Sequence, residues 1–304
     1  MNPVFVFSGQ GAQSVGMGKD LFEQSPAAAA IFKEADSILG WSISDVCFNG
    51  PESKLTESRY CQPAIYTMSS ACLAAFTENK PEIRALASAG LSLGELAALY
   101  AAKTFSFADG LRLVAKRAEL MDSCCKKAKG GMATILGGDI AAIRETCQEC
   151  DIDVANLNCP GQVVVSGSEE KVIKAVSILK EKGFKKVIPL KVAGAYHSRM
   201  MEDAGDALKA VLDGIPMKDP VIPVAQNYVG ACVRSVCEIR RNLVSQVAGS
   251  VKWEDCVRSI LATGADTVIE FGPGNVLTGL VRRISANVAT FNINGMESVK
   301  NFTG

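Results

Sequence analysis

From the N-terminus to about residue 130, short apolar runs alternate with helix-period stretches. "VFVFSG" precedes a helical pattern near residues 16–39, and "ALASAG" precedes helices from 92 and from 106. Apolar β-branched and aromatic runs separated by helices specify βα units, with parallel strands buried between helical layers. After residue 130 the texture changes to "GGMATILGG", "IAAIRETCQEC", "IDVANLN", "QVVVSGS", "EEKVIKAVSILKEKG" and "FKKVIPLKV". This reads β-α-β-β-α-β, the order of a small ferredoxin-like unit. Glycines at 130, 131 and 194 let the chain leave one lobe and return, so residues 128–193 are expected as a small subdomain inserted in a large one, 1–127 and 194–304. "DTVIEFGPGNVLTGLVRRI" then supplies a further strand, a G-P-G turn and a terminal helix.

Composition bounds the partners. Of 304 residues 48% are hydrophobic, enough to bury a sizeable core, and 32 basic residues balance 32 acidic ones. No global field draws in nucleic acid or an anionic membrane, so any charged partner must be met by a local patch. There is no signal-like N-terminus and no run of about 18 apolar residues, and a cytoplasmic protein is expected. The eleven cysteines are odd in number and lack a secretory context, which favours free thiols over a disulfide framework. Cys147 and Cys150 form a lone C-x-x-C, and the sequence holds one histidine, so no metal site is expected and the pair reads as small packed side chains.

In "SAGLSLGELAALYAA" Ser92 stands between Gly90 and Gly94, at the junction of a strand-like "RALASAG" and the helix that follows. Glycines two residues before and after a serine remove the Cβ clashes of a sharp strand-to-helix turn and expose the hydroxyl. The backbone N–H of Leu93, at the helix start, would face an oxyanion formed beside that hydroxyl. A small residue at a tight turn is the other reading of the same five residues.

A nucleophilic serine needs a base, and His197, in "VAGAYHSRMMEDAGDAL", is the only histidine. It precedes an amphipathic helix whose positive end disfavours imidazolium. A hydrogen-bonded loop histidine is the alternative. The helix "SFADGLRLVAKRAELMDSCCKK" opens with a Ser106–Asp109 capping pattern and places Leu111, Leu113, Val114, Ala118, Leu120 and Met121 on one arc, with Arg112, Lys116, Glu119 and Lys126 opposite. Arg117 falls inside the apolar arc. A buried arginine cannot deprotonate and needs an acceptor, either an internal carboxylate or one that arrives with a substrate.

Together these segments resemble the malonyl-CoA:acyl carrier protein transacylases of fatty-acid biosynthesis over nearly the whole chain. "FSGQGAQSVGMGKDL" resembles the family's opening P-G-Q-G-x-Q, "QPAIYTMSSA" its next block and "GLSLGE" its G-H-S-L-G-E. "KRAELM" is similar to its arginine segment, "NCPGQVVVSG" to a small-subdomain strand, "AYHS" to its histidine motif and "FGPGNVLTGLVRRI" to its C-terminal signature.

The resemblance implies an α/β-hydrolase-like large subdomain with a parallel sheet and an inserted ferredoxin-like (βαββαβ) small one. It implies a ping-pong malonyltransferase with Ser92 as acylated nucleophile, His197 as base and Arg117 as clamp on the malonyl carboxylate. Gln10 and Leu93 would supply oxyanion-hole N–H groups. A backbone carbonyl near a V-x-W motif orients the histidine in this family; here that motif is "VKW", which puts Lys252 in the role. The substrates implied are malonyl-CoA, a coenzyme A thioester, and phosphopantetheinylated acyl carrier protein, with no tightly bound cofactor and a monomeric enzyme. Lys126, Lys127, Lys129, Lys185, Lys186, Arg282 and Arg283 are the candidate cations for an acidic carrier protein. Two positions depart from the family pattern. Leu91 replaces the usual histidine and would line the acyl pocket, and Ser8 replaces the usual proline. A serine thioesterase, an acyltransferase of altered acyl preference and a non-catalytic carrier-binding scaffold are the alternatives, and a buried Arg117 argues against a hydrolase of neutral acyl chains.

Overall fold

A computed structural model describes residues 1–303. The first lobe opens with β1 (Pro3–Phe7), followed by α1 (Lys19–Gln24), α2 (Pro26–Leu39), α3 (Ile43–Asn49), α4 (Glu52–Leu55) and the long α5 (Ser58–Asn79). Next come β2 (Ser88–Gly90), α6 (Gly94–Ala101) and α7 (Phe107–Lys127). The second unit contains β3 (Gly130–Leu136), α8 (Ile140–Glu149), β4 (Asp153–Cys159), β5 (Gln162–Ser168), α9 (Glu169–Glu181) and β6 (Lys186–Pro189). The chain then returns through a 3-10 turn (Arg199–Met201) into α10 (Glu202–Asp213), β7 (Val224–Gln226), β8 (Ala231–Val233), α11 (Val236–Ala248) and α12 (Trp253–Leu261). It ends with β9 (Thr267–Phe271), α13 (Val276–Ile284), β10 (Ala289–Ile293) and α14 (Met296–Lys300).

The large sheet runs β10-β9-β1-β2-β7-β8, with every neighbouring pair parallel except β7–β8. Its centre is buried on both faces, which is why β1 reads as a continuous apolar run. Phe5 and Phe7 join the core under α5, while Val4 and Val6 pack on the opposite side with α12 and α13. Phe5, Phe76 and Phe271 lock edge to face with ring centres 4.8–6.2 Å apart.

The small sheet, order β4-β5-β3-β6, is antiparallel throughout and has the ferredoxin-like arrangement. Strand alternation divides its residues. Ala133 and Ile135 face α8 and α9, while Met132 and Thr134 face the cleft toward the large sheet. An α/β-hydrolase-like lobe carrying a ferredoxin-like one is the architecture observed.

Local details differ from the sequence expectation. The pattern near 16–39 is two helices, because Pro26 cannot continue α1 and instead begins α2, capped by the Ser25 side chain on the Ala28 N–H. The helix after the G-P-G turn is not terminal: β10 adds an edge strand on β9 and α14 closes the chain. The Ser106 cap of α7 is formed as expected, with Oγ accepting from the Asp109 N–H. All eleven cysteines are free thiols.

Candidate active site

Ser92 leaves β2 with φ +53°, in the left-handed region that a side chain enters at a cost of about 1–3 kcal/mol. The turn is possible because its flanking glycines have no room for a side chain. A Cβ on Gly90 would sit 2.0 Å from the carbonyl carbon of Gly94, and one on Gly94 would sit 2.1 Å from the Phe7 carbonyl oxygen. Asn227, after β7, pins the turn: its Oδ1 accepts the Ser92 N–H at 2.6 Å and its Nδ2 donates to the Gly90 carbonyl at 2.8 Å. The Asn227 N–H donates to buried Glu95, whose carboxyl burial pushes up to about 7.

His197 is brought in by the chain returning from β6. Its φ is +56°, and its Nε2 lies 2.7 Å from Ser92 Oγ. Nδ1 lies 2.9 Å from the carbonyl of Gln246 near the end of α11. A carbonyl oxygen only accepts, so this contact places the ring proton on Nδ1 and leaves Nε2 bare toward the serine hydroxyl. Burial, reinforced by the nearby Arg117 charge, pushes the imidazole down to about 4. The orienting carbonyl is thus Gln246, correcting the assignment to Lys252. Lys252 caps α12, donating its N–H to the Asn227 carbonyl, because α11 ends a turn before the V-K-W segment and it is this end that faces His197.

Arg117 is 3% exposed, and burial pushes it down to about 10. Nη1 donates to Gln62 Oε1 at 2.7 Å, and Nη2 donates to Gln246 Oε1 at 3.0 Å and to Ser92 Oγ at 3.1 Å. Neutral amides and a hydroxyl therefore hold the guanidinium beside the serine, and no carboxylate pairs with it among the described residues. The Gln246 side chain also donates to the Ser92 carbonyl at 3.0 Å.

A cavity of about 330 Å³ lies between the two sheets, lined by Ser92, His197, Arg117, Gln10, Leu91 and Tyr196 from the large lobe and Met132, Asn156 and Asn158 from the small one. The backbone N–H groups of Gln10 and Leu93 donate to no acceptor among the described residues. Leu93 stands at the start of α6, where the helix dipole adds to its pull on an anion. Ser8 anchors the Gln10 loop by donating to the Pro273 carbonyl of the G-P-G turn at 3.0 Å.

The candidate docking cations are not gathered into one patch. Lys126 pairs with Asp122 and Lys127 with Asp203, both near the start of β3. Lys186 opposes Leu136 at the other end of that strand, roughly 20 Å away, and Arg283 there donates to Gln162. Sequence reasoning missed Asn227 and Gln246. The V-K-W segment points to the stretch that holds Gln246, five residues before it, but not to the residue itself, and Asn227 carries no sequence signal at all.

The family profile described as acyl transferase domain matches residues 4–298. The malonyl CoA-acyl carrier protein transacylase of Bacillus subtilis (strain 168) is 39% identical over 303 residues, covering 97% of this chain and 94% of that protein. The acyl-carrier-protein-S-malonyltransferase of Bartonella henselae superposes with a TM-score of 0.94 at 35% identity, covering 99% of this chain and 98% of that one. A malonyl-transacylase solved with its type II PKS acyl-carrier protein superposes equally well, TM-score 0.94 at 34% identity, covering 99% of this chain and 98% of that one. With the fold, the serine–histidine pair and the profile match extending over nearly its full length, this chain belongs to the acyltransferase family.

Proposed function

We propose that this protein moves a malonyl group from malonyl-CoA to the phosphopantetheine thiol of acyl carrier protein, in two steps through a malonyl-Ser92 ester. The observation that carries this reading is the Arg117 guanidinium at hydrogen-bond distance from Ser92 Oγ, with no carboxylate in direct contact among the described residues and buried Glu95 acting on it only through space. A buried guanidinium whose hydrogen-bond partners are all neutral is completed by an acyl group that brings its own carboxylate into contact.

In the first step the malonyl carboxylate pairs with Arg117, a contact worth about 1.5–3 kcal/mol. Nε2 of His197 takes the Ser92 proton as Oγ attacks the thioester carbonyl. The N–H groups of Gln10 and Leu93 receive the oxyanion, each donor contributing roughly 3–4 kcal/mol to the transition state. Collapse expels CoA as thiol, with the proton returned by His197. In the second step the carrier thiol gives its proton to His197, attacks the ester, and Ser92 leaves with that proton. One thioester is exchanged for another, so the reaction is reversible. The Arg117 charge opposes imidazolium formation, and the substrate carboxylate offsets it, so malonyl binding raises the basicity of the base it needs.

Intact-protein mass after brief mixing with malonyl-CoA or acetyl-CoA, followed by holo carrier protein, tests the reading. A malonyl adduct on Ser92 that passes to the carrier is the expected result. Equal acetyl labelling would point to altered acyl preference through Leu91, and an adduct lost to water alone would make the protein a thioesterase.

A further inference from the structure

The small lobe does more than roof the cavity. His197 and the carbonyl that orients it arrive on two different segments of the large lobe, and both segments are fastened to β4, one at its first residue and the other at its middle. On the histidine side, two residues after His197, the Arg199 N–H donates to Asp153 Oδ2 at 2.9 Å. The Arg199 guanidinium grips the same carboxylate through Nε at 3.1 Å and Nη2 at 2.7 Å, and Nη1 reaches Asp151 Oδ1 at 2.5 Å. On the other side, the segment just after Gln246 and the end of α11 lies along β4 as a short parallel bridge. Val251 N–H donates to the Ala155 carbonyl at 2.8 Å, and Leu157 N–H donates to the Val251 carbonyl at 2.9 Å. The register of β4 on β5 shifts between Val154 and Asn156, where the strand turns to serve this second partner.

We propose that β4 is a template that sets the distance between His197 and the Gln246 carbonyl, and that Asp153 and Arg199 are positioning residues for the proton-transfer step. The inference rests on the transferase reading only for the identity of the reaction. An exposed ion pair ordinarily contributes little. Here one carboxylate holds a planar fork and a backbone N–H together, which fixes direction as well as distance. The histidine backbone two residues away sits in the left-handed region and has no conformational preference of its own to hold it there. A base displaced by about 1 Å loses on the order of a hundredfold in rate, so a modest anchoring contact can govern turnover without governing stability. The same linkage ties the small-lobe wall of the cavity to the base, so a substrate that shifts that wall also shifts His197.

The test compares Asp153→Ala, Asp153→Asn, Arg199→Lys and the exchanged pair Asp153→Arg with Arg199→Asp. For each, kcat and KM of malonyl transfer, the rate of Ser92 acylation by p-nitrophenyl acetate and the melting temperature are measured. The ester carries no carboxylate and so needs His197 without needing Arg117. Asp153→Ala is expected to lower kcat and the ester acylation rate about tenfold, with KM changed by less than about twofold. Asp153→Asn, which keeps an acceptor for the Arg199 N–H, falls between, as does Arg199→Lys. The exchanged pair recovers part of the loss. Wild-type kcat in Asp153→Ala, or losses in the set that follow melting temperature or KM instead, would overturn the proposal. If the wild-type protein takes acetyl from the ester onto Ser92 but no malonyl from CoA, the transferase reading fails, while an Asp153-dependent acylation rate still supports the template.

Discussion

Ser92 and His197, 105 residues apart in sequence, meet at 2.7 Å with both backbones in the left-handed region, at φ +53° and +56°. Two strained residues in contact persist only where their surroundings hold them. At Ser92 the holders are identified: Asn227 takes the N–H and Gln246 supplies a donor to the carbonyl.

Asn227→Ala removes the acceptor of the Ser92 N–H and the donor to the Gly90 carbonyl together. Leaving buried groups unpaired costs about 1–3 kcal/mol each, so urea unfolding should register a loss of about 2–6 kcal/mol. Turnover should drop more than KM rises, because the misplaced group is the nucleophile. Stability and kcat both close to wild type would show that the turn holds itself.

Arg117→Ala should lower kcat/KM for malonyl-CoA by roughly 10- to 100-fold, the equivalent of one charge-assisted contact. Acetyl transfer should be unchanged or faster, since the variant also removes the charge that opposes imidazolium. Initial rates with the two thioesters in parallel separate these effects; an equal loss with both would mean that Arg117 serves Ser92 and not the acyl group.

The acid limb of kcat/KM belongs to His197, whose imidazole is held down at about 4 by burial first and Arg117 second. Activity should therefore persist well below pH 6.5, the ordinary histidine value. In a variant with residual activity, such as Arg117→Ala, the limb should move upward while remaining below 6.5, because burial is unchanged. The same depression contributes stability that is complete above 6.5 and is lost as pH falls through about 4. A limb at or above 6.5 in the wild type would contradict the geometry.

Two glycine substitutions should have opposite signs. Gly90→Ala places a methyl 2.0 Å from the Gly94 carbonyl carbon and should prevent the elbow from closing, giving little soluble protein. Gly279→Ala, inside α13 with nothing within 4 Å of the added carbon, should raise unfolding free energy by about 0.5–1 kcal/mol by restricting the unfolded chain. A soluble, active Gly90→Ala protein would refute the steric account of the turn.

The alternation of apolar runs and helices, the β-α-β-β-α-β order, the glycine-flanked serine, the lone histidine and the out-of-place arginine are all local signals, each carried by a few consecutive residues or one helical repeat. Those were readable in the sequence because side-chain size and periodicity act over short distances. Where the pattern near 16–39 breaks was also written locally, in Ser25–Pro26, while the pairing of β10 on β9 required strands brought together from separate units.

The tertiary structure alone decided what completes the site. Every residue has a carbonyl, so no side-chain pattern could say that Gln246, and not Lys252, faces the imidazole; that depends on where α11 stops against the returning His197 loop. Asn227 reaches the Ser92 N–H across 135 residues, and Arg117 finds amides on α5 and α11 instead of a carboxylate. Hydrogen-bond partners of this kind are fixed by the meeting of distant segments in space, a relation that one-dimensional spacing does not encode.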